Sequence, residues 1–121
     1  MWPFSRGDAG AATDAHVAVA SVSAREAVAR MKHGAKLIDV RSTREYRALH
    51  PADSISVPPE VIKQDQVGLE RDTEILVICM SGKRSLRQAR KLTELGYTNV
   101  TNLAGGLDYW TKFGLPVKRS R

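Results

Sequence analysis

A single cysteine, Cys79, lies in a short segment whose residue types could support nucleophilic chemistry. Gly82 follows it three residues later, and the cations Lys83 and Arg84 come next. Neighbouring cations and a helix N-terminus lower the pKa of a cysteine and so favour the nucleophilic thiolate. Backbone N–H groups of a tight loop before a helix also form a cradle for anions. The segment therefore predicts a thiolate made by electrostatics, with no histidine as a base.

The cysteine and histidine counts limit the other uses of Cys79. One cysteine excludes a disulfide within the chain, and His16, His33 and His50 are too far apart in sequence to suggest metal ligands. We therefore predict neither a metal nor a cofactor. Free cysteine is also among the most buried residue types, so a purely structural Cys79 is the simplest alternative. The glycine and the two cations beside it favour the functional interpretation.

The segment before Cys79 is the strongest strand signal of the chain. Residues 74–78 are almost continuously apolar, which is typical of a strand buried on both faces at the centre of a parallel sheet. A helix is predicted from Ser85 to Leu95, on the other side of the loop. In open α/β sheets, ligands bind outside the carboxyl ends of such strands.

The other predicted elements also alternate between strand and helix. Further strands are predicted over 36–40, 54–57 and 99–103. Helices are predicted after the capping boxes Ser23–Glu26 and Ser42–Glu45, from Pro59 to about Gln64, and from Leu107 to Phe113. Short loops between these elements predict an α/β fold with a mostly parallel sheet.

Length and composition indicate one globular domain. The chain has 121 residues, of which 42% are hydrophobic and 26% charged. We expect residues 1–15 to form a flexible leader and residues 16–121 to form the domain. The net charge is +6, but the basic residues are spread along the chain, so we predict no nucleic-acid partner. No run is apolar enough to span a membrane and no signal peptide is recognisable, which predicts a cytoplasmic protein.

Residues 79–85 resemble the active-site loop of single-domain rhodaneses, Cys-x-x-Gly-x-Arg-Ser/Thr. The likeness extends to the Asp-Val-Arg strand end at 39–41, the Glu-Tyr pair at 45–46 and the Leu-x-Gly-Gly signature at 103–106, and it covers about residues 20 to 118. Residues 49–54 depart from the family pattern. The resemblance implies a three-layer rhodanese-like fold, with a central sheet of about five strands and helices on both faces.

The resemblance also implies a sulfurtransferase in which Cys79 becomes a persulfide. A donor such as thiosulfate would supply the sulfur, and cyanide or a thiol would accept it. The loop residues would bind the substrate: Met80, Ser81, Gly82, Lys83, Arg84 and Ser85.

Asp39 and Arg41 would support the loop through buried hydrogen bonds, as the resemblance implies. An equally open alternative is that Arg41 pairs with Glu45 and holds the following helix. Trp110 and Tyr109 are predicted to pack in the core and on the surface, respectively, rather than to contact substrate.

Three other functions stay open from the sequence. The persulfide could pass to a partner protein in a sulfur relay, or the domain could be a non-catalytic binding or sensor module. Related phosphatases share the fold but have five residues between cysteine and arginine, whereas four separate Cys79 from Arg84 here. The shorter loop leaves less room for phosphate and disfavours phosphatase activity.

Overall fold

A computed structural model describes residues 18–120 of the chain. The predicted leader, residues 1–15, lies outside these residues. The strands are β1 Ser21–Val22, β2 Lys36–Asp39, β3 His50–Pro51, β4 Ser54–Ser56, β5 Ile75–Ile78, β6 Val100–Leu103 and β7 Val117–Lys118. The helices are α1 Ala24–Met31, α2 Thr43–Ala48, α3 Pro59–Lys63, α4 Lys83–Glu94 and α5 Gly106–Lys112.

Five strands form a wholly parallel sheet in the order β1-β6-β5-β2-β4. The central strand β5 pairs with β2 through Ile78 opposite Asp39, and with β6 through Val77 opposite Asn102. The short strands β3 and β7 form a separate antiparallel pair. The predicted α/β fold with about five sheet strands is confirmed.

Side chains of β5 alternate between two hydrophobic cores. Ile75 and Val77 pack on the side of α3 and α4, where Ile62 and Leu92 are fully buried. Leu76 and Ile78 pack on the opposite side, against α1 and α5. All four β5 side chains have no exposed surface, so this strand anchors the three layers.

Helix starts follow the capping signals, with two differences. Ser42 and Glu45 form the complete reciprocal capping box at α2. Ser23 accepts a hydrogen bond from the Glu26 N–H, but the Glu26 carboxylate binds Arg30 one turn later instead of closing the box. Helix α4 begins at Lys83, two residues before the predicted start, because Gly82 adopts φ of 99° and caps the helix.

The strands β1, β3 and β7 were not predicted. Each of these strands has only two residues, and an alternation of apolar and polar residues cannot be recognised over so short a segment. Among residues 18–120, no helix has both the length and the apolar character that a membrane crossing requires.

Candidate active site

Cys79 lies at the point in the sheet where the order of successive strands reverses. After β2 the chain runs outward to β4, and after β5 it runs the other way to β6. The connections that follow these two neighbouring strands therefore diverge and leave a crevice at their carboxyl ends. Cys79 directly follows β5, and Arg41 and α2 follow β2 across the crevice.

The Cys79 loop turns tightly around the thiol. The Gly82 N–H donates a hydrogen bond to Cys79 Sγ over 3.1 Å. Gly82 has φ of 99°, and a Cβ added there would lie 3.2 Å from the Gly105 backbone nitrogen. Close backbone approach and positive φ therefore both require glycine at this position. Cys79 itself has no exposed surface, so only small groups that enter through the loop can reach its sulfur.

Hydrogen bonds lower the pKa of the Cys79 thiol. Burial opposes ionisation and is the largest influence, but hydrogen bonding from Ser85, Gly82 and Ser81 together outweighs it. The sequence predicted this effect from the helix N-terminus together with Lys83 and Arg84. In the structure the loop and the start of α4 contribute more than these two cations.

We expect the thiolate of folded Cys79 to persist at lower pH than an ordinary thiol. Its ultraviolet absorbance, taken as the difference between wild type and Cys79→Ser, should titrate with a midpoint below that of the urea-unfolded chain. Because the folded pKa is the lower one, the thiolate stabilises the fold above the unfolded pKa, and this stabilisation is lost as pH falls through the folded pKa. Equal midpoints in the folded and unfolded protein would contradict the hydrogen-bonded thiolate.

The first turn of helix α5 hydrogen-bonds to the backbone of the Cys79 loop. The N–H groups of Leu107 and Asp108 donate to the carbonyl oxygens of Cys79 and Met80 over 2.8 and 3.0 Å. Gly106 makes this approach possible, since a Cβ there would lie 2.4 Å from the Cys79 carbonyl oxygen. The start of α5 is thus fixed to the backbone of Cys79 and Met80.

Gly106→Ala is expected to destabilise the fold and displace Cys79. The clash is with backbone, which cannot move aside without opening the loop, and the positive φ alone costs about 1–3 kcal/mol. Thermal unfolding and the Cys79 titration should both shift. Gly114→Ala is the matched control, because φ is also positive there but no atom lies within 4 Å of the added Cβ. A similar response to both substitutions would show that only backbone strain matters.

Asp39 and Arg41 form a buried ion pair at the end of β2, beside the end of β5. Their side chains are 0% and 2% exposed, and Arg41 Nη2 lies 2.8 Å from Asp39 Oδ2. Arg41 also donates from Nη2 to the carbonyl oxygen of Leu49, at the end of α2. The alternative pairing of Arg41 with Glu45 is wrong, because Arg41 is bound by Asp39 and Glu45 is bound by Arg84.

Arg84 crosses the crevice to α2. Its two terminal nitrogens each lie 3.0 Å from one carboxylate oxygen of Glu45, in a bidentate pair. The Arg84 guanidinium holds the pKa of Glu45 at about 2, so the pair stays ionised at neutral pH. Cys79 and Asp39 also act on Arg84 and help to raise its pKa. The structure therefore places Arg84 within the electrostatic reach of the thiol.

Asn102 on β6 is a component of the site that sequence reasoning missed. Its Oδ1 accepts a hydrogen bond from the Ser85 hydroxyl over 2.5 Å, and its Nδ2 donates to the Gly82 carbonyl over 3.3 Å. The residue is only 4% exposed, so it fixes the loop from inside the core. An amide within a buried strand is the signal that could have identified it.

The other predicted residues pack in the core or on the surface. Trp110 is 1% exposed and Tyr109 is 50% exposed, as expected for core and surface packing. His50, in the segment that departs from the family pattern, stacks on Tyr46 with ring centroids 3.8 Å apart. Within the part of the chain that the structure describes, no cluster of three metal-ligating side chains is present.

Comparison with known proteins identifies the class. The family described as "Rhodanese-like domain" matches residues 23–113, and the chain belongs to this family. It is 34% identical over 110 residues to senescence-associated protein DIN1 of Raphanus sativus. The aligned residues cover 81% of this chain and 60% of that one. The chain thus spans about three-fifths of that relative.

A shorter relative and a solved structure cover more of their own lengths. The chain is 33% identical over 85 residues to the thiosulfate sulfurtransferase GlpE of Actinobacillus pleuropneumoniae serotype 3 (strain JL03). The aligned residues cover 70% of this chain and 79% of that one. The crystal structure of a rhodanese-related protein from Thermoplasma volcanium matches with a TM-score of 0.73 at 31% identity. That match covers 82% of this chain and 97% of the other. The relatives of this chain therefore include sulfurtransferases.

Proposed function

We propose that this protein is a sulfurtransferase that carries a sulfane sulfur on Cys79 as a persulfide. The observation that carries the proposal is the hydrogen bond from the Gly82 N–H to Cys79 Sγ, within a loop that lowers the pKa of the thiol. Membership of the rhodanese-like family and similarity to a thiosulfate sulfurtransferase support the same chemistry.

The first step is attack of the Cys79 thiolate on the outer sulfur of thiosulfate. A new S–S bond forms at Cys79 as the S–S bond of the donor breaks, and sulfite leaves with the bonding electron pair. In the second step cyanide or a thiol attacks the outer sulfur of the persulfide, and Cys79 returns as a thiolate. Because the enzyme is modified between two substrates, the kinetics should be ping-pong.

The loop residues 80–85 act on charge during both steps. The N–H groups of Ser81, Gly82 and Ser85 stabilise negative charge on sulfur, as an oxyanion hole does on oxygen. Lys83 and Arg84 attract the anionic donor toward a thiol that is itself buried. Asp39 and Arg41 support the loop without contacting substrate. A free nucleophilic thiol suits a reducing compartment such as the cytoplasm.

The test is the intact mass of the protein after incubation with thiosulfate and desalting. We expect the mass of one added sulfur atom, which cyanide then removes. Because the chain has one cysteine, a single site can account for this gain. If folded, reduced protein gains no sulfur from thiosulfate or from a small persulfide donor, the proposed function is wrong.

Arg84→Ala is expected to raise the KM for thiosulfate by about tenfold, because a charge-assisted hydrogen bond to the donor is lost. Steady-state kinetics with varied thiosulfate measures this. Glu45→Gln is the informative comparison, since it removes the charge that holds Arg84 but leaves the guanidinium. If Arg84 binds the donor, Glu45→Gln should not raise KM. If both variants raise KM equally, Arg84 serves only to attach α2.

A further inference from the structure

Ser85 and Asn102 form a buried hydrogen-bonded pair beside the Cys79 loop. Their residues are 0% and 4% exposed, and the Ser85 hydroxyl oxygen lies 2.5 Å from Asn102 Oδ1. Ser85 is in the first turn of α4, and Asn102 is on β6, which pairs with the strand that leads into Cys79. Ser85 also hydrogen-bonds to the thiol of Cys79. The pair therefore connects the thiol to the interior of the domain.

The orientation of the Asn102 amide is fixed by its nitrogen. Nδ2 lies 3.3 Å from the Gly82 carbonyl oxygen and 3.2 Å from the Ser21 hydroxyl oxygen. A carbonyl oxygen only accepts hydrogen bonds, so the amide nitrogen must face Gly82 and Oδ1 must face Ser85. Because Oδ1 is also an acceptor only, it takes the proton of the Ser85 hydroxyl.

The hydroxyl proton of Ser85 thus has two competing acceptors, Asn102 Oδ1 and Cys79 Sγ. A serine hydroxyl carries one proton and cannot donate to both at once. A thiolate is a charged acceptor, and charge-assisted hydrogen bonds are about twice as strong as neutral ones. Rotation about the Cβ–Oγ bond therefore turns the proton toward a thiolate. It also leaves Oδ1 buried without a donor, which costs free energy.

We propose that Asn102 is a positioning residue that competes with Cys79 for the Ser85 proton and so keeps the thiolate strongly nucleophilic. The nucleophilicity of a thiolate falls as its pKa falls. The loop N–H groups lower that pKa, and the competition from Asn102 limits how far it is lowered. The role of Asn102 in sulfur transfer rests on the proposed function.

The position of the proton follows the charge on Sγ through both steps. In the free enzyme Sγ is negative, and the hydroxyl turns toward it. When the thiolate takes the outer sulfur of the donor, Sγ becomes neutral within the new S–S bond, and the hydroxyl returns to Asn102. When an acceptor breaks that bond, Cys79 leaves with the electron pair and the hydroxyl turns back. The proton stays on Ser85 throughout, so no further reagent is needed.

The test is a double-mutant cycle on the titration of Cys79, with Asn102→Leu, Ser85→Ala and the double variant. Asn102→Leu frees the hydroxyl, so the pKa of Cys79 should fall by roughly half a pH unit, which corresponds to about one hydrogen bond. In the Ser85→Ala background there is no hydroxyl to release, and the pKa should not fall. A purely structural role predicts the opposite sign, because a loosened Gly82 N–H would raise the pKa in both backgrounds.

Thr101→Val is the matched control, since its hydroxyl accepts a hydrogen bond from Arg30 instead of facing the loop. It should leave the pKa of Cys79 unchanged. An Asn102→Leu effect that is equal in both backgrounds overturns the competition.

A second measurement does not depend on the folding of Asn102→Leu. The side-chain carbonyl ¹³C resonance of Asn102 should move at the Cys79 midpoint, and it should move less in Ser85→Ala. Equal movement in the two proteins also overturns the competition. Neither titration requires sulfur transfer, so failure of wild type to load sulfur would instead overturn the proposed function.

Discussion

Cys79→Ser is expected to abolish sulfur transfer, with kcat falling by at least about 10³-fold. A serine hydroxyl in the same cradle stays protonated at neutral pH, and it cannot form the S–S bond that stores the sulfur. The chain holds no second cysteine that could take over. Thiosulfate-to-cyanide turnover and the intact-mass measurement should therefore fail together.

The fold should survive this substitution, because oxygen replaces sulfur with little change of shape. Thermal unfolding of Cys79→Ser is the control that separates loss of the nucleophile from loss of structure. Turnover above one-tenth of wild type in Cys79→Ser would rule out a persulfide on this residue.

Asp39→Ala is expected to lower the free energy of unfolding by about 3–5 kcal/mol, because it leaves the Arg41 charge buried without a partner. Asp39 accepts hydrogen bonds from the Arg41 backbone N–H at 3.0 Å and from the Arg41 guanidinium. Chemical denaturation measures the loss. We also expect the Cys79 titration to shift, since Arg41 ties the end of β2 to the end of α2, the helix that Arg84 reaches across the crevice.

The double variant Asp39→Ala, Arg41→Ala tests whether the unpaired Arg41 charge causes this loss of stability. Removing both charges leaves none unpaired, so it should cost less than the sum of the two single variants. Glu26→Ala is the control for an exposed ion pair, since the Arg30 and Glu26 side chains are 33% and 52% exposed. The loss in free energy of unfolding should be below about 0.5 kcal/mol. Additive single effects would show that the Asp39–Arg41 pair contributes no coupling.

The sequence by itself predicted the elements whose signals are local. The apolar run at β5, the cap at Ser42 and the glycine before α4 depend on neighbours in the chain, so their patterns indicated strand, helix start and loop. The resemblance at residues 79–85 predicted the family, which the match over residues 23–113 confirms. The family and the class of fold thus followed from short segments.

Only the tertiary structure decided which side chains pair. Arg84 and Glu45 are 39 residues apart, so nothing local could choose between Arg41 and Arg84 as the partner of Glu45. Asn102 reaches Gly82 only because β6 lies next to β5. Gln88 likewise lines a cavity made by two separate helices. Long-range pairing depends on the order of strands in the sheet, and the local sequence pattern does not determine that order.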